Sequence, residues 1–476
     1  MNFIRLLVEM LINSTMFAIF AKSIFSEPVR ICNQMKTPVQ KTVADSIIDT
    51  FNLVDFGKAT IREVVAIASQ IEQESGVPFI RMEMGVPGLP AAAVGVSAEI
   101  AALENGVASV YPVIDGLPAL KSEGARFIKA FVDVDVAPGC VIPVVGSMQG
   151  TFTSFLVCGQ LDAQKDTILF IDPGFPVQKQ QITVLGYKYE SFDVYDYRGD
   201  KLADKLGSYL KKGNIAAIIY SNPNNPSWVC LREEELEIIG TLATRYDVVV
   251  LEDLAYFAMD FRQDLGQPFV PPFQPTVARY TDNYVLLISG SKVFSYAGQR
   301  IGVVAISPRL YHRAFPGLTQ RYGGGTFGTV FVHRALYAIS SGVSHSAQYA
   351  LAAMFKAASD GLFPFVNDVK EYGRRAHLMK EIFLRNGFRI VYDKDRDEDI
   401  ADGFYFTVNY PGMTGGELMR ELIYYGISAI SLATTGSQQE GLRACVSFIR
   451  DEQYAVLEER LKLFAENNRH KAIVQE

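Results

Sequence analysis

Six short apolar runs rich in β-branched residues punctuate the chain, at 141–145, 167–171, 215–220, 248–251, 284–289 and 303–306. Helical or turn segments separate them, and that alternation predicts a mostly parallel, doubly wound α/β sheet. After the loop Gly323-Gly324-Gly325 the pattern becomes helical, through 330–340 and then 346–386. A second set of short strands is expected at 404–408 and 443–448, separated by a helix over 416–425, which reads as a smaller α+β domain.

The first 34 residues fit none of this. Residues 10–21 form a mostly apolar, uncharged run that is too short to span a bilayer and is interrupted by Asn13, Ser14 and Thr15. Arg5 and Ala21 suit an export signal, whereas Glu9 and the cysteine pattern oppose one. Met35 is the expected natural start, with no stable membrane insertion upstream.

Composition narrows the function classes. A chain of 476 residues with 49% hydrophobic residues has room for two domains, and a net charge of −7 with no basic run argues against a nucleic-acid partner. Five scattered cysteines (Cys32, Cys140, Cys158, Cys230, Cys445) are an odd number without CxxC spacing, which predicts a reducing, cytoplasmic setting. The five histidines are equally dispersed, so no metal site is expected.

Four segments carry candidate chemistry. Lys292 follows a strand-like run in Ser289-Gly290-Ser291-Lys292, with Arg300 eight residues later. A lysine so placed can bind an aldehyde cofactor, with hydroxyl and guanidinium groups for its phosphate, although taken alone it reads first as a solvated surface residue. In Ser221-Asn222-Pro223-Asn224-Asn225-Pro226, successive Asn-Pro pairs force an extended turn able to aim an amide inward. Asp253 ends a buried-type strand, where a carboxylate can face the ligand crevice of an open sheet or cap a helix. Arg443 heads another apolar run and can take a carboxylate in two parallel hydrogen bonds, or form a structural salt bridge.

Taken together, from about Gly85 to Phe448, these segments resemble the class I and II aminotransferases of pyridoxal 5′-phosphate (PLP) fold type I. The shared features are the Asn-Pro turn, Asp253-Leu254-Ala255-Tyr256, the Ser289 to Lys292 element with Arg300, and Arg443, in family order and spacing. The resemblance implies a three-layer α/β/α large domain over 95–350 with a mostly parallel sheet. The smaller α+β domain would be built from 35–94 and 351–476. It implies Lys292 as the lysine that holds PLP and Asp253 as partner of the pyridine nitrogen. Asn225 and Tyr256 would bond the cofactor's phenolic oxygen, with Ser289 and Arg300 on its phosphate and Arg443 on the substrate α-carboxylate.

Upstream residues extend the pattern. Gly146-Ser147-Met148-Gln149 opens a helix after a strand, a setting whose free N–H groups suit phosphate, and the resemblance gives Ser147, Met148 and Gln149 as donors. Phe175, in Asp172-Pro173-Gly174-Phe175-Pro176, matches the aromatic that stacks on the pyridine ring, a core phenylalanine being the alternative. Tyr111, five residues before Gly116, matches a tyrosine that reaches the phosphate of a neighbouring subunit, which implies a homodimer. Gly85, in Gly85-Val86-Pro87, resembles the glycine that lets backbone approach the substrate carboxylate. Arg321 lies near the family's substrate-contacting loop but reads as a solvated loop charge rather than a second carboxylate ligand.

Two positions depart from the family. Trp228, the single tryptophan, stands where a glycine normally closes the Asn-Pro turn, and implies a different turn geometry or an aromatic wall near the site. Arg232 stands where a Ser or Thr helix cap is expected. The implied activity is ping-pong transfer of an amino group between an α-amino acid and a 2-oxo acid. A C–S β-lyase or decarboxylase could use the same residues, and a PLP-binding regulator would need an added DNA-binding domain.

Overall fold

The computed structural model describes residues 36–472, so the segment 1–34 and the start at Met35 lie outside the described residues. Seven strands form one sheet: β1 (Val141–Val144), β2 (Thr167–Asp172), β3 (Lys188–Asp193), β4 (Ile215–Ser221), β5 (Val249–Leu254), β6 (Tyr284–Ser289) and β7 (Gly302–Ile306). Their order is β1-β7-β6-β5-β4-β2-β3. Strands β2 to β6 pair in parallel, while β7 runs antiparallel to both β6 and β1. The six expected strands are therefore present, to within three residues at their ends. β3 was not anticipated because its sequence, KYESFD, begins with exposed positions, as an edge strand tolerates.

Side chains alternate across the sheet, as the pleat requires. In β5, Val250 and Leu254 join a cluster with Phe127, Leu236 and Ile239, from the helices Pro118–Val132 and Glu233–Tyr246. Val249 and Leu251 join a second cluster with Phe155, Val157 and Ile182, from the helices Gly146–Cys158 and Pro176–Leu185. Burial on both faces explains why these strands read as unbroken apolar runs.

The smaller sheet contains β8 (Arg389–Ile390), β9 (Tyr405–Asn409), β10 (Ile430–Ser431) and β11 (Leu442–Cys445), in the antiparallel order β10-β11-β9-β8. Residues from the beginning of the described chain join this region. Ile80–Arg81 pairs in parallel with Ile427–Ser428, and Val39 N donates to Tyr424 O at 3.0 Å. The helical stretch expected over 346–386 is broken into His345–Ser359, Phe365–Val369 and Glu371–Arg385. Gly361, in the left-handed region at φ 73°, ends the first piece. The strand expected at 443–448 stops at Cys445. Among the described residues, no helix is long and apolar enough to cross a membrane.

Candidate active site

The carboxyl ends of the parallel strands bring Ser221, Asp253 and Ser289 to one edge of the sheet, the position at which open α/β sheets bind ligands. They open onto a cavity of about 500 Å³ that Lys292 and Arg443 also line, within the size range of small-molecule sites. Gly85, Ser147, Met148 and Phe175 contribute to the same wall, together with Asn225, Tyr256 and Arg300. Residues from Gly85 to Arg443 thus meet in one space.

Asp253 is buried and accepts hydrogen bonds from Gln178 Nε2 at 2.9 Å and Ala255 N at 3.1 Å. Burial pushes its carboxyl up to about 6, because neither donor carries the charge that would offset desolvation. A cationic ring nitrogen beside it would supply that charge. Lys292 Nζ donates to Gly85 O and lies 5.4 Å from the centre of the Phe404 ring. Burial lowers its ammonium to about 8, and the nearby Arg443 and Arg300 act in the same direction. An amine tuned toward neutrality suits both nucleophilic attack and proton transfer.

Arg443 is 1% exposed. One Nη donates to Glu83 O at 2.5 Å and the other to Asn225 Oδ1 at 3.4 Å, while Nε is a buried donor with no partner among the described residues. An unsatisfied buried guanidinium N–H is costly, and a carboxylate would relieve it. Asn225 is held ready by its turn: Ser221 Oγ accepts from Asn225 N at 3.1 Å, and Asn224 Oδ1 accepts from Ser227 N and Oγ at 3.1 and 2.7 Å.

At the other end of the cavity, Ser147 lies in the first turn of the helix Gly146–Cys158, whose N–H groups have no intrahelical acceptor. Gly146 has φ 65°, which favours glycine, and a Cβ there would stand 2.6 Å from Arg300 Nη2 and displace that guanidinium. Arg300 Nη1 donates to Ser291 Oγ at 3.4 Å, and Ser289 Oγ accepts from Ser291 N at 3.1 Å. Hydroxyls, a helix start and a guanidinium suit a phosphate. This donor set, with Asp253 and Lys292, fits PLP.

Two nominated residues lie elsewhere. Gln149 does not line the cavity; its side chain accepts from Val145 N at 2.8 Å and donates to Ser340 Oγ at 2.8 Å. Gln149 stands two positions from both Ser147 and Thr151, about half a turn round the helix from these cavity-lining residues, and so faces away from the site. Tyr111 is 90% exposed and lines a different surface hollow, with Val110 and His345. Arg321 likewise borders a separate hollow, with Tyr187 and Gln160.

The expectation of a different turn at Trp228 is corrected. Trp228 keeps the left-handed backbone of the glycine it replaces, at φ 64°, and is fully buried. Its indole does not line the cavity. It packs edge-on against Tyr256 and Tyr405, with ring centres 5.4 and 6.2 Å away. Gly403 makes space for it, since a Cβ there would approach Trp228 Cε2 to 1.9 Å. At the helix start Arg232, Glu235 accepts from Arg232 N at 3.0 Å, while the arginine side chain reaches out to Asp397 and Glu398.

Sequence reasoning missed several wall residues. Gln178 lies three residues after Phe175, and Tyr405 sits in a strand that gave no chemical signal. Ile61, Arg62, Val65, Met84 and Val86 close the cavity from the other side. Ile61, Arg62 and Val65 reach it only because the helix Ile61–Ser75 folds over the site, which local pattern does not report, whereas Met84 and Val86 flank Gly85.

Comparison with known proteins agrees with this arrangement. A profile of the family described as aminotransferase class I and II matches residues 82–461. An aspartate aminotransferase of Pyrococcus horikoshii is 25% identical over 252 residues, covering 52% of this chain and 59% of that protein. The glutamate-pyruvate aminotransferase AlaC of Escherichia coli is 27% identical over 220 residues, covering 46% and 51%. The chain therefore spans between half and three fifths of these relatives. Among solved structures, a double mutant of the Thermus thermophilus aspartate aminotransferase superposes with a TM-score of 0.68 at 17% identity, covering 86% of this chain and 96% of that one. An alanine aminotransferase of Pyrococcus furiosus gives 0.67 at 20% identity, covering 86% and 97%. The profile match over most of the sequence, on a fold that gathers the family's signature residues around one cavity, establishes that the chain belongs to the class I and II aminotransferase family.

Proposed function

We propose that the chain is a PLP-dependent aminotransferase that moves an amino group between an α-amino acid and a 2-oxo acid by a ping-pong course. The convergence of Lys292, Asp253 and Arg443 on one cavity carries this reading. When bound, PLP supplies an aldehyde for the amine and a ring that takes up electrons from the substrate carbon. Lys292 Nζ takes the proton from the substrate Cα and returns it to the cofactor side, which its lowered pKa favours. Asp253 holds a proton on the ring nitrogen. Arg443 fixes the α-carboxylate, with Asn225 and Gly85 closing around it. Ser147, Met148, Ser289 and Arg300 anchor the phosphate, and Phe175 offers a flat face to the ring.

The active species in this reading is a homodimer. Ile100, Leu103, Val110, Tyr111 and Val113 form an exposed apolar group, 48–90% accessible, of the kind that marks an interface. Tyr111 would complete the neighbouring subunit's phosphate site from there. The four described cysteines are free and buried, which supports a cytoplasmic setting. The division at 94/95 and 350/351 belongs to the same proposal, with the helices Ala93–Glu104 and His345–Ser359 running across the first and second boundaries.

The test follows the cofactor's absorbance through one half-reaction. An α-amino acid should discharge the visible band with release of a 2-oxo acid, and a second 2-oxo acid should restore it. Product release with the band unchanged would favour a lyase or decarboxylase.

A further inference from the structure

Tyr405 was not signalled by the sequence, yet it stands at the centre of the site. It is 1% exposed in β9, and its Oη lies 2.8 Å from Tyr256 Oη. The Arg443 guanidinium sits 4.6 Å from its ring centre. Its hydroxyl also explains Gly85, because a Cβ at that position would come within 2.0 Å of Tyr405 Oη. Trp228 packs edge-on against both phenol rings, which themselves meet at 5.4 Å and 75°. Arg443 and Trp228 thus hold the ring, while Tyr256 and Gly85 border the oxygen.

We propose that Tyr405 is a positioning residue that acts through Tyr256, donating its hydroxyl hydrogen to Tyr256 Oη and so directing the Tyr256 hydroxyl hydrogen at the cofactor's phenolic oxygen. This rests on the reading of Tyr256 as a cofactor ligand. Both phenols are protonated at neutral pH, since burial raises each well above its ordinary range. Each then has one hydrogen to give. Two hydroxyls that share one hydrogen bond leave one hydrogen for a third partner, and the arrangement decides which oxygen offers it. The facing charged and titratable groups are Arg443 and Cys445. Arg443, directly over the Tyr405 ring, makes Tyr405 the more acidic phenol and hence the better donor. A donor behind Tyr256 strengthens the bond that Tyr256 makes in turn.

The test reads the pH midpoint of the bound cofactor's visible absorbance in the holoenzyme. A hydrogen bond to the phenolic oxygen favours its deprotonated form, so weakening that bond raises the midpoint. Y256F should raise it; if it does not, the assignment of Tyr256 itself fails. Y405F, which removes a single oxygen, should raise it by roughly half a pH unit. The double variant Y256F/Y405F should match Y256F alone, because Tyr405 acts only through Tyr256. An unchanged midpoint in Y405F, with Y256F shifted, overturns the proposal, as does full additivity in the double variant. Should Y405F fail to hold cofactor, 3-fluorotyrosine at position 405 provides the second arm. Its more acidic hydroxyl should lower the midpoint, and an unchanged or raised midpoint overturns the proposal.

Discussion

Replacing Trp228 separates two opposing contributions that the structure places on one residue. The indole is fully buried between Tyr256, Tyr405 and Gly403, and removing a buried tryptophan costs about 3–5 kcal/mol. Two terms offset part of this. The backbone at φ 64° costs a non-glycine residue about 1 kcal/mol once glycine's greater chain entropy is set against the strain. The indole Nε1 is also buried without a partner among the described residues, and its removal relieves about 1 kcal/mol. Trp228→Gly should therefore lose about 1–3 kcal/mol, whereas Trp228→Ala, which keeps the strain, should lose about 1 kcal/mol more than the glycine variant. Urea unfolding followed by far-ultraviolet circular dichroism measures both, independently of the fluorophore removed. An alanine variant as stable as the glycine one would refute the strain term, and a glycine variant as stable as the parent would refute the packing term. Because the indole lies behind the wall rather than in it, the order of preference among amino donors should survive both changes.

Four further outcomes are expected. Lys292→Ala should lose turnover and the cofactor absorbance that borohydride makes permanent; turnover at the parent rate would remove Lys292 from the mechanism. Arg443→Lys keeps the charge but loses the two-pronged geometry, so kcat/KM for α-amino acids should fall by about 2–4 kcal/mol of transition-state binding, read from steady-state kinetics. In cofactor-free protein, Lys292 binds its proton less tightly folded than unfolded, so its burial penalty is complete below pH 8 and fades as pH rises toward 10.5. The stability advantage of Lys292→Met, measured by urea unfolding, should therefore shrink by up to about 3 kcal/mol between pH 7 and pH 10.5. Leu103→Asp, on the exposed apolar surface, should yield monomers by sedimentation and weaken cofactor retention.

The large sheet was legible because β4, β5 and β6 are buried on both faces and write that burial directly into sequence as β-branched runs. β3 was not, since an edge strand carries no such demand. Lys292, Asp253 and Arg443 could be found because each joins a charged group to the end of an apolar run. Tyr405 and Gln178 could not: one looks like any core tyrosine and the other like any helix glutamine until the chain folds. Trp228 misled in an instructive way. Reading it as a changed turn assumed that backbone strain would be avoided, whereas the buried indole offsets the left-handed backbone and the turn keeps its shape.

Glu252 and Asp253 are consecutive, buried and serve opposite faces of β5. Glu252 accepts from Thr276 Oγ1, Val277 N and Tyr220 Oη, while Asp253 faces the cavity. With a repeat of two residues, sliding β5 by one position would exchange these carboxylates. The longer arm would then enter the cavity and the shorter one would fall short of its three donors. A single-residue insertion or deletion within this strand would therefore undo both arrangements at once. The alignment that folds the sheet is thus the same alignment that aims the chemistry, and lineages of this chain should admit length changes in its loops and exclude them from β5.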